Sequence, residues 1–138
     1  MKHFWKRLKQ WLKGGAPESV PPLDPAAAER IGVALEGCMT RDKAYLNPRL
    51  DLMALSRMIG TNRTYLSRYI NGTIGLSFSE YLNGFRVDEA RRILREPDSR
   101  SLPMEEVARR CGFGSVSSMN RAFRRAEGIP PAKYREIL

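Results

Sequence analysis

Apolar residues recur along this chain three and four positions apart, the period of a helix that buries one face. Ile31, Ala34, Leu35 and Cys38 form the first such stripe. Asp24 stands before it as an N-cap and Pro25 takes the favoured first helical position, so a helix is predicted from Asp24 to near Tyr45, ahead of Asn47-Pro48. Asp51 then caps a short helix through Ile59, and Gly60 stops it. Asn62 caps another that runs to about Asn71. Leu52, Leu55 and Ile59 from the first of these, and Tyr65, Leu66 and Ile70 from the second, are expected to face a core. Two short helices joined at Gly60-Thr61 have the form of a helix-turn-helix.

After a loop, Ser77-Phe78-Ser79-Glu80 has the S-x-x-E pattern of a capping box. The helix it opens is predicted to reach Arg95, with Phe78, Leu82, Phe85, Ala90, Ile93 and Leu94 as its apolar set. Gly84 weakens it slightly, and Glu96-Pro97-Asp98 ends it. At 1.5 Å per residue it is a rod of ~27 Å.

The pattern then repeats. Leu50, Leu55, Arg57 and Gly60 match Leu102, Val107, Arg109 and Gly112 at an offset of 52 residues. Past the turn Asn62, Leu66, Arg68 and Ile70 match Ser115, Met119, Arg121 and Phe123 at an offset of 53, so the second turn holds one extra residue. A last short helix is predicted from Pro130-Pro131, holding Tyr134 and Leu138. An internal repeat is more diagnostic than a single motif. It implies an all-α, homeodomain-like tandem: a first helix-turn-helix subdomain over 24–76, a linking helix over 77–96 and a second subdomain over 97–138. Neighbouring major-groove faces on one side of a duplex lie ~34 Å apart, so a ~27 Å rod would hold two such motifs near adjacent turns, with some bending of the DNA.

Charge points the same way. The chain carries +9 overall, and residues 41–138 contribute +7, nearly all as arginine. An Arg-rich globular segment suits a polyanion, although a basic face also serves solubility alone. Cys38 and Cys111 are far apart, with no CxxC spacing, and are read as free thiols in a reducing compartment; Cys111 falls on an apolar helix position and reads as a small core residue. His3 is the one histidine, which argues against a zinc site or a His-based catalytic triad. No Gly-rich phosphate loop follows a strand. Neither an enzyme nor a cofactor is expected.

Residues 1–23 differ in kind. Lys2, Lys6, Arg7, Lys9 and Lys13 alternate with Phe4, Trp5, Leu8, Trp11 and Leu12, and no acid is present over residues 1–13. This basic amphipathic arm would lie on an anionic membrane surface, or else fray or dock on the domain. A Gly/Pro-rich linker follows over Gly14–Leu23. Nothing approaches the ~18–20 apolar residues of a membrane span, and no signal peptide is evident.

The residues from about Tyr45 to Leu138 resemble the DNA-binding domain of AraC-type (AraC/XylS family) transcriptional regulators. The strongest stretch is Val107-Ala108-Arg109-Arg110-Cys111-Gly112-Phe113-Gly114-Ser115, continuing through Asn120-Arg121-Ala122-Phe123-Arg124 to Gly128-Ile129-Pro130-Pro131-Ala132-Lys133-Tyr134-Arg135. Phe78-Ser79-Glu80-Tyr81-Leu82-Asn83, with Arg86 and Glu89-Ala90-Arg91, resembles the linking helix. Ser56 stands where the first motif commonly has alanine. The resemblance implies a bacterial, cytoplasmic, sequence-specific binder of double-stranded DNA, with RNA polymerase as a partner if it activates. Family members usually add a sensing domain. Residues 1–44 are too short and too helical for the common β-barrel sensor, and Gly60 to Asn71 resembles members attached to membrane or two-component sensors. The chain is therefore read as the output half of a longer regulator, with the Trp-rich arm as a juxtamembrane piece.

In such motifs the first two turns of the second helix enter the major groove. The candidates are Arg63, Thr64, Ser67 and Arg68 in the first motif, and Val116, Ser117, Asn120 and Arg121 in the second. Arginine can pair with guanine O6 and N7, and asparagine with adenine, so Arg63, Arg68, Asn120 and Arg121 are the base-reading candidates, with phosphate contact as the alternative for some. Val116 would touch a thymine methyl or read nothing. Asn62 and Ser115, at helix N-termini, and the start of the Pro131 helix are candidate phosphate clamps. Arg124 and Arg125 suit phosphate or solvent, and Arg86 and Arg91 a structural or solvated role. A helical protein-binding adaptor at a membrane is the competing class; it calls for apolar recognition faces, whereas Arg, Thr, Ser and Asn stand there.

Overall fold

The computed structural model describes residues 23–138, so the basic arm, its membrane-surface reading and most of the linker lie outside the described residues. Among the described residues the regular structure is wholly helical, with seven α-helices and no strand. The chain divides into two compact units, one ending at Ala44 and resuming over Leu50–Leu82, the other made of Tyr45–Arg49 and Asn83–Leu138.

In the first unit, α1 spans Pro25–Thr40, with the Asp24 carboxylate accepting from the Ala27 N–H at 3.0 Å. It stops short of the expected Tyr45. Lys43 adopts φ 51°, a left-handed value that cannot continue a right-handed helix, and a 3₁₀ turn follows over Ala44–Leu46. Helix α2 (Leu52–Met58) is capped by Asp51, and α3 (Arg63–Arg68) by Asn62. Leu55 is fully buried, while Leu52 and Ile59 are only half-buried. Helix α3 runs on, past the expected end at Asn71, as a π-helical turn over Tyr69–Ile74; Gly75 closes it at φ 86°, its N–H bonded to the Ile70 carbonyl at 2.8 Å. This turn packs on α1. A Cβ at Gly32 would stand 2.6 Å from the Tyr69 hydroxyl, so the glycine makes room for that ring.

Helix α4 (Phe78–Arg95) opens with the predicted reciprocal cap: the Glu80 N–H donates to Ser77 Oγ at 3.1 Å, and the Ser77 N–H to Glu80 Oε1 at 3.3 Å. Its expected apolar residues are buried except Phe78, which is half-buried. Arg86, Glu89 and Arg91 are buried too, so the helix is enclosed on more than one face.

The second unit continues with a 3₁₀ turn over Pro97–Ser101, then α5 (Met104–Arg110), α6 (Val116–Glu127) and α7 (Pro131–Glu136). Val87, Ile93, Leu94, Val107, Cys111, Phe113, Met119 and Phe123 form its core. Phe123 meets Tyr134 edge to face at 5.2 Å. Leu138 lies beyond α7 and is exposed, contrary to its expected place in the last helix. Arg91 pairs with Glu127, tying α4 to the end of α6. The segment Tyr45–Arg49 is strapped to this unit. The Tyr45 ring stacks on Phe85 and its hydroxyl donates to Glu89 at 3.2 Å. The buried Arg86 guanidinium donates from Nε to the Tyr45 carbonyl (2.8 Å) and from Nη2 to the Asn47 carbonyl (2.9 Å).

Candidate nucleic-acid interface

The repeat read in the sequence is a repeat in space. Helices α2 and α5 have the same length and begin and end at positions 52 apart. The turns reverse at Gly60 (φ 74°) and Gly112 (φ 87°), and each is closed by the same bond, Thr61 N–H to the Ser56 carbonyl at 2.9 Å and Phe113 N–H to the Ala108 carbonyl at 3.0 Å. The extra residue therefore enters after Phe113, at Gly114. Asn62 and Ser115 then cap the second helices, accepting from Tyr65 N–H at 2.8 Å and Ser118 N–H at 3.1 Å. Their side chains are used in folding, which leaves the early backbone N–H groups as the anion-facing feature there.

On α3, Leu66 and Ile70 are buried, and Asn62, Arg63, Thr64 and Arg68 are exposed, with Ser67 half-buried. Tyr65 departs from expectation. It is 44% exposed and lines an open cleft of about 450 Å³ with Ala27, Arg30, Ile31 and the turn residues. At 100° per residue it stands well off the Leu66 direction, at the edge of the buried stripe, on an open cleft shared with the start of α1 and the turn. On α6, Met119 and Phe123 are fully buried as expected, Ser117 and Arg121 are exposed, and Asn120 is half-buried. Val116 is half-buried against the core cluster, so part of its surface is already spent on packing.

Two polar residues that the sequence pattern did not single out touch the candidates. Asn71 Nδ2 donates to Ser67 Oγ at 3.1 Å, and Arg121 Nη2 approaches Ser118 Oγ at 3.4 Å. Both are spaced for contact on one helix face (i, i+4 and i, i+3), which was the available signal. Elsewhere, Arg109 and Arg110 both bond Glu106, and these guanidinium contacts hold its carboxyl down at about 2. Burial pushes the Cys111 thiol up to about 12, and Cys38 is raised by burial as well. Among the described residues no group of three His, Cys, Asp or Glu is placed to hold a metal ion, and no helix is long and apolar enough to cross a membrane.

Known proteins carry the same arrangement. A helix-turn-helix domain family model matches residues 55–137. An uncharacterised helix-turn-helix transcriptional regulator of Bacillus subtilis, YobQ, is 27% identical over 98% of this chain and 56% of its own length. A putative AraC-like transcription regulator of Streptomyces lividans is 30% identical over 88% of this chain and 38% of its own. The chain thus spans about half or less of these relatives. Among solved structures, the C-terminal domain of AraT, a response regulator from Geobacillus stearothermophilus, is similar with a TM-score of 0.63 at 26% identity, covering 86% of this chain and 89% of that one. The DNA-binding domain of the global transcriptional factor AdpA, solved with a target DNA, gives 0.61 at 29% identity over 80% and 90%. With the family model covering more than half of the chain, the chain belongs to the AraC-type helix-turn-helix family.

Proposed function

We propose that this chain binds double-stranded DNA sequence-specifically, placing α3 and α6 in adjacent major-groove segments, and so regulates transcription. The observation that carries the reading is the division of each second helix. One row is buried to nothing (Leu66 and Ile70; Met119 and Phe123), and beside it stands an exposed or half-buried row of arginine and small polar residues. The burial fixes which way each helix faces, and the exposed row has the donors that base edges require. Arg63, Thr64, Ser67 and Arg68, with Ser117, Asn120 and Arg121, are the reading residues, and Val116 supplies at most an apolar edge. The helix starts at Asn62 and Ser115 receive phosphates. In a cell this work belongs in the cytoplasm, and activation would bring RNA polymerase as a second partner.

Selection from a random duplex pool, followed by gel-shift titration, tests the reading. The expected result is a recovered motif with two blocks about one helical turn apart, bound with a steep loss of affinity as salt rises. Salt-sensitive binding with no recovered motif would reduce the protein to a non-specific binder; no binding to any pool would sink the proposal.

A further inference from the structure

The geometry points to Asn71 as a positioning residue that sets what Ser67 reads, making its hydroxyl a hydrogen-bond donor to the groove. This rests on the DNA-binding reading above. A serine hydroxyl both donates and accepts, so alone it distinguishes base edges poorly. In a helix it commonly donates back to a carbonyl one turn earlier. Two other helical hydroxyls here do so: Thr40 Oγ1 donates to the Glu36 carbonyl at 2.6 Å, and Ser56 Oγ to the Met53 carbonyl at 2.7 Å. Ser67 does not. Its oxygen instead accepts from Asn71 Nδ2 at 3.1 Å, and among the described residues no acceptor takes its proton.

Asn71 stands one turn after Ser67, at the i, i+4 spacing that puts two side chains on one helix face, within the π-helical turn over Tyr69–Ile74. Accepting one hydrogen bond also polarises the hydroxyl and strengthens it as a donor. Ser67 stands beside the exposed Thr64 and Arg68, so the proton is offered where a base edge would lie. Its partners are then groove acceptors: guanine O6 or N7, adenine N7, or thymine O4.

The test compares base preferences, not overall affinity, for the full chain by selection from a random duplex pool. Ser67→Ala should flatten the preference at one base pair by about three- to tenfold, the worth of one hydrogen bond. Asn71→Asp places an acceptor-only group at the same distance; the Ser67 proton turns to it, and the preference at that same base pair should move toward the cytosine amino group. Asn71→Lys can only donate and should keep the wild-type preference. Both lie at a half-buried site, so melting temperature checks each fold, and the lysine variant tests the idea alone if the aspartate variant unfolds. The inference is overturned if Asn71→Asp keeps the wild-type profile, if Asn71→Lys loses it, or if Ser67→Ala alters no position. A wild-type chain that recovers no motif at all would instead remove the DNA-reading premise beneath it.

Discussion

Replacing Gly60 and Gly112 with alanine imposes different costs on equivalent turns. Both glycines have left-handed φ values, 74° and 87°. An L-residue there costs about 1–2 kcal/mol, partly offset by the ~0.4–1 kcal/mol that alanine gains by restricting the unfolded chain. At Gly60 nothing lies within 4 Å of the added Cβ, so Gly60→Ala should cost about 1 kcal/mol in all. At Gly112 the same Cβ would stand 2.2 Å from the Tyr45 carbonyl oxygen and 2.8 Å from the Leu46 Cα, both backbone atoms. The strap must retreat, and the carbonyl that moves is the one held by buried Arg86. Loosening a charged hydrogen bond costs about 1.5–3 kcal/mol on top of the backbone cost, so Gly112→Ala should lose about 2.5–4 kcal/mol. Urea denaturation followed by far-UV circular dichroism would measure both, with unchanged slopes confirming comparable transitions. Asparagine sharpens the contrast because it tolerates left-handed backbone: it should recover part of the loss at 60 and none at 112. Losses within about 1 kcal/mol of each other for the two alanine variants would refute the close-approach argument.

Four further outcomes follow from the same geometry. Arg68→Ala should weaken a cognate duplex by about 1–3 kcal/mol and relax one base position in a gel-shift series; an equal loss on random duplex would make it a phosphate contact. Ser56→Ala should change stability by less than about 1 kcal/mol, because the buried hydroxyl and its carbonyl partner sit where the second motif has Ala108, and a larger loss on urea unfolding would contradict this. Cys111 should resist a thiol reagent at pH 8 until the chain unfolds, since burial holds its thiol near 12; fast labelling of the folded protein by mass spectrometry would count against it. Glu106 has a depressed pKa, so its contribution to stability is present above the usual carboxylate value and is lost as pH falls toward about 2. Thermal melts of Glu106→Gln and wild type should therefore converge at low pH, and also at high salt because the pair is exposed.

The local features were legible because their causes are local. Asp24, Asp51, Asn62, Ser77 and Ser115 cap helices within three residues of themselves, and the glycine turns need only their own backbone angles. The 52/53 offset located both motifs and the added turn residue. What escaped depends on neighbours distant in sequence or on a change of helical pitch. Tyr65 shares a helix with Leu66, but it borders an open cleft whose other lining residues include the start of α1, more than thirty residues earlier. Asn71 joins Ser67 across one helical turn, a pairing that its spacing allows but its residue type alone does not announce. Arg86 stays open between a structural and a solvated role in the sequence, and Tyr45 and Asn47, about forty residues earlier, make it structural by presenting their carbonyls. Val116 holds a reading position by count and a packing position by contact.

The strap also limits how this protein can be taken apart or recombined. A fragment opening at the capping box would keep every helix of the second motif, yet leave Phe85 without its stacked tyrosine and Arg86 without its two carbonyls. The shortest excised piece that keeps α6 in native surroundings must start at or before Tyr45, and so carries α2 and α3 with it. A graft of this chain's second half onto another protein must, for the same reason, take residues 45–49 along.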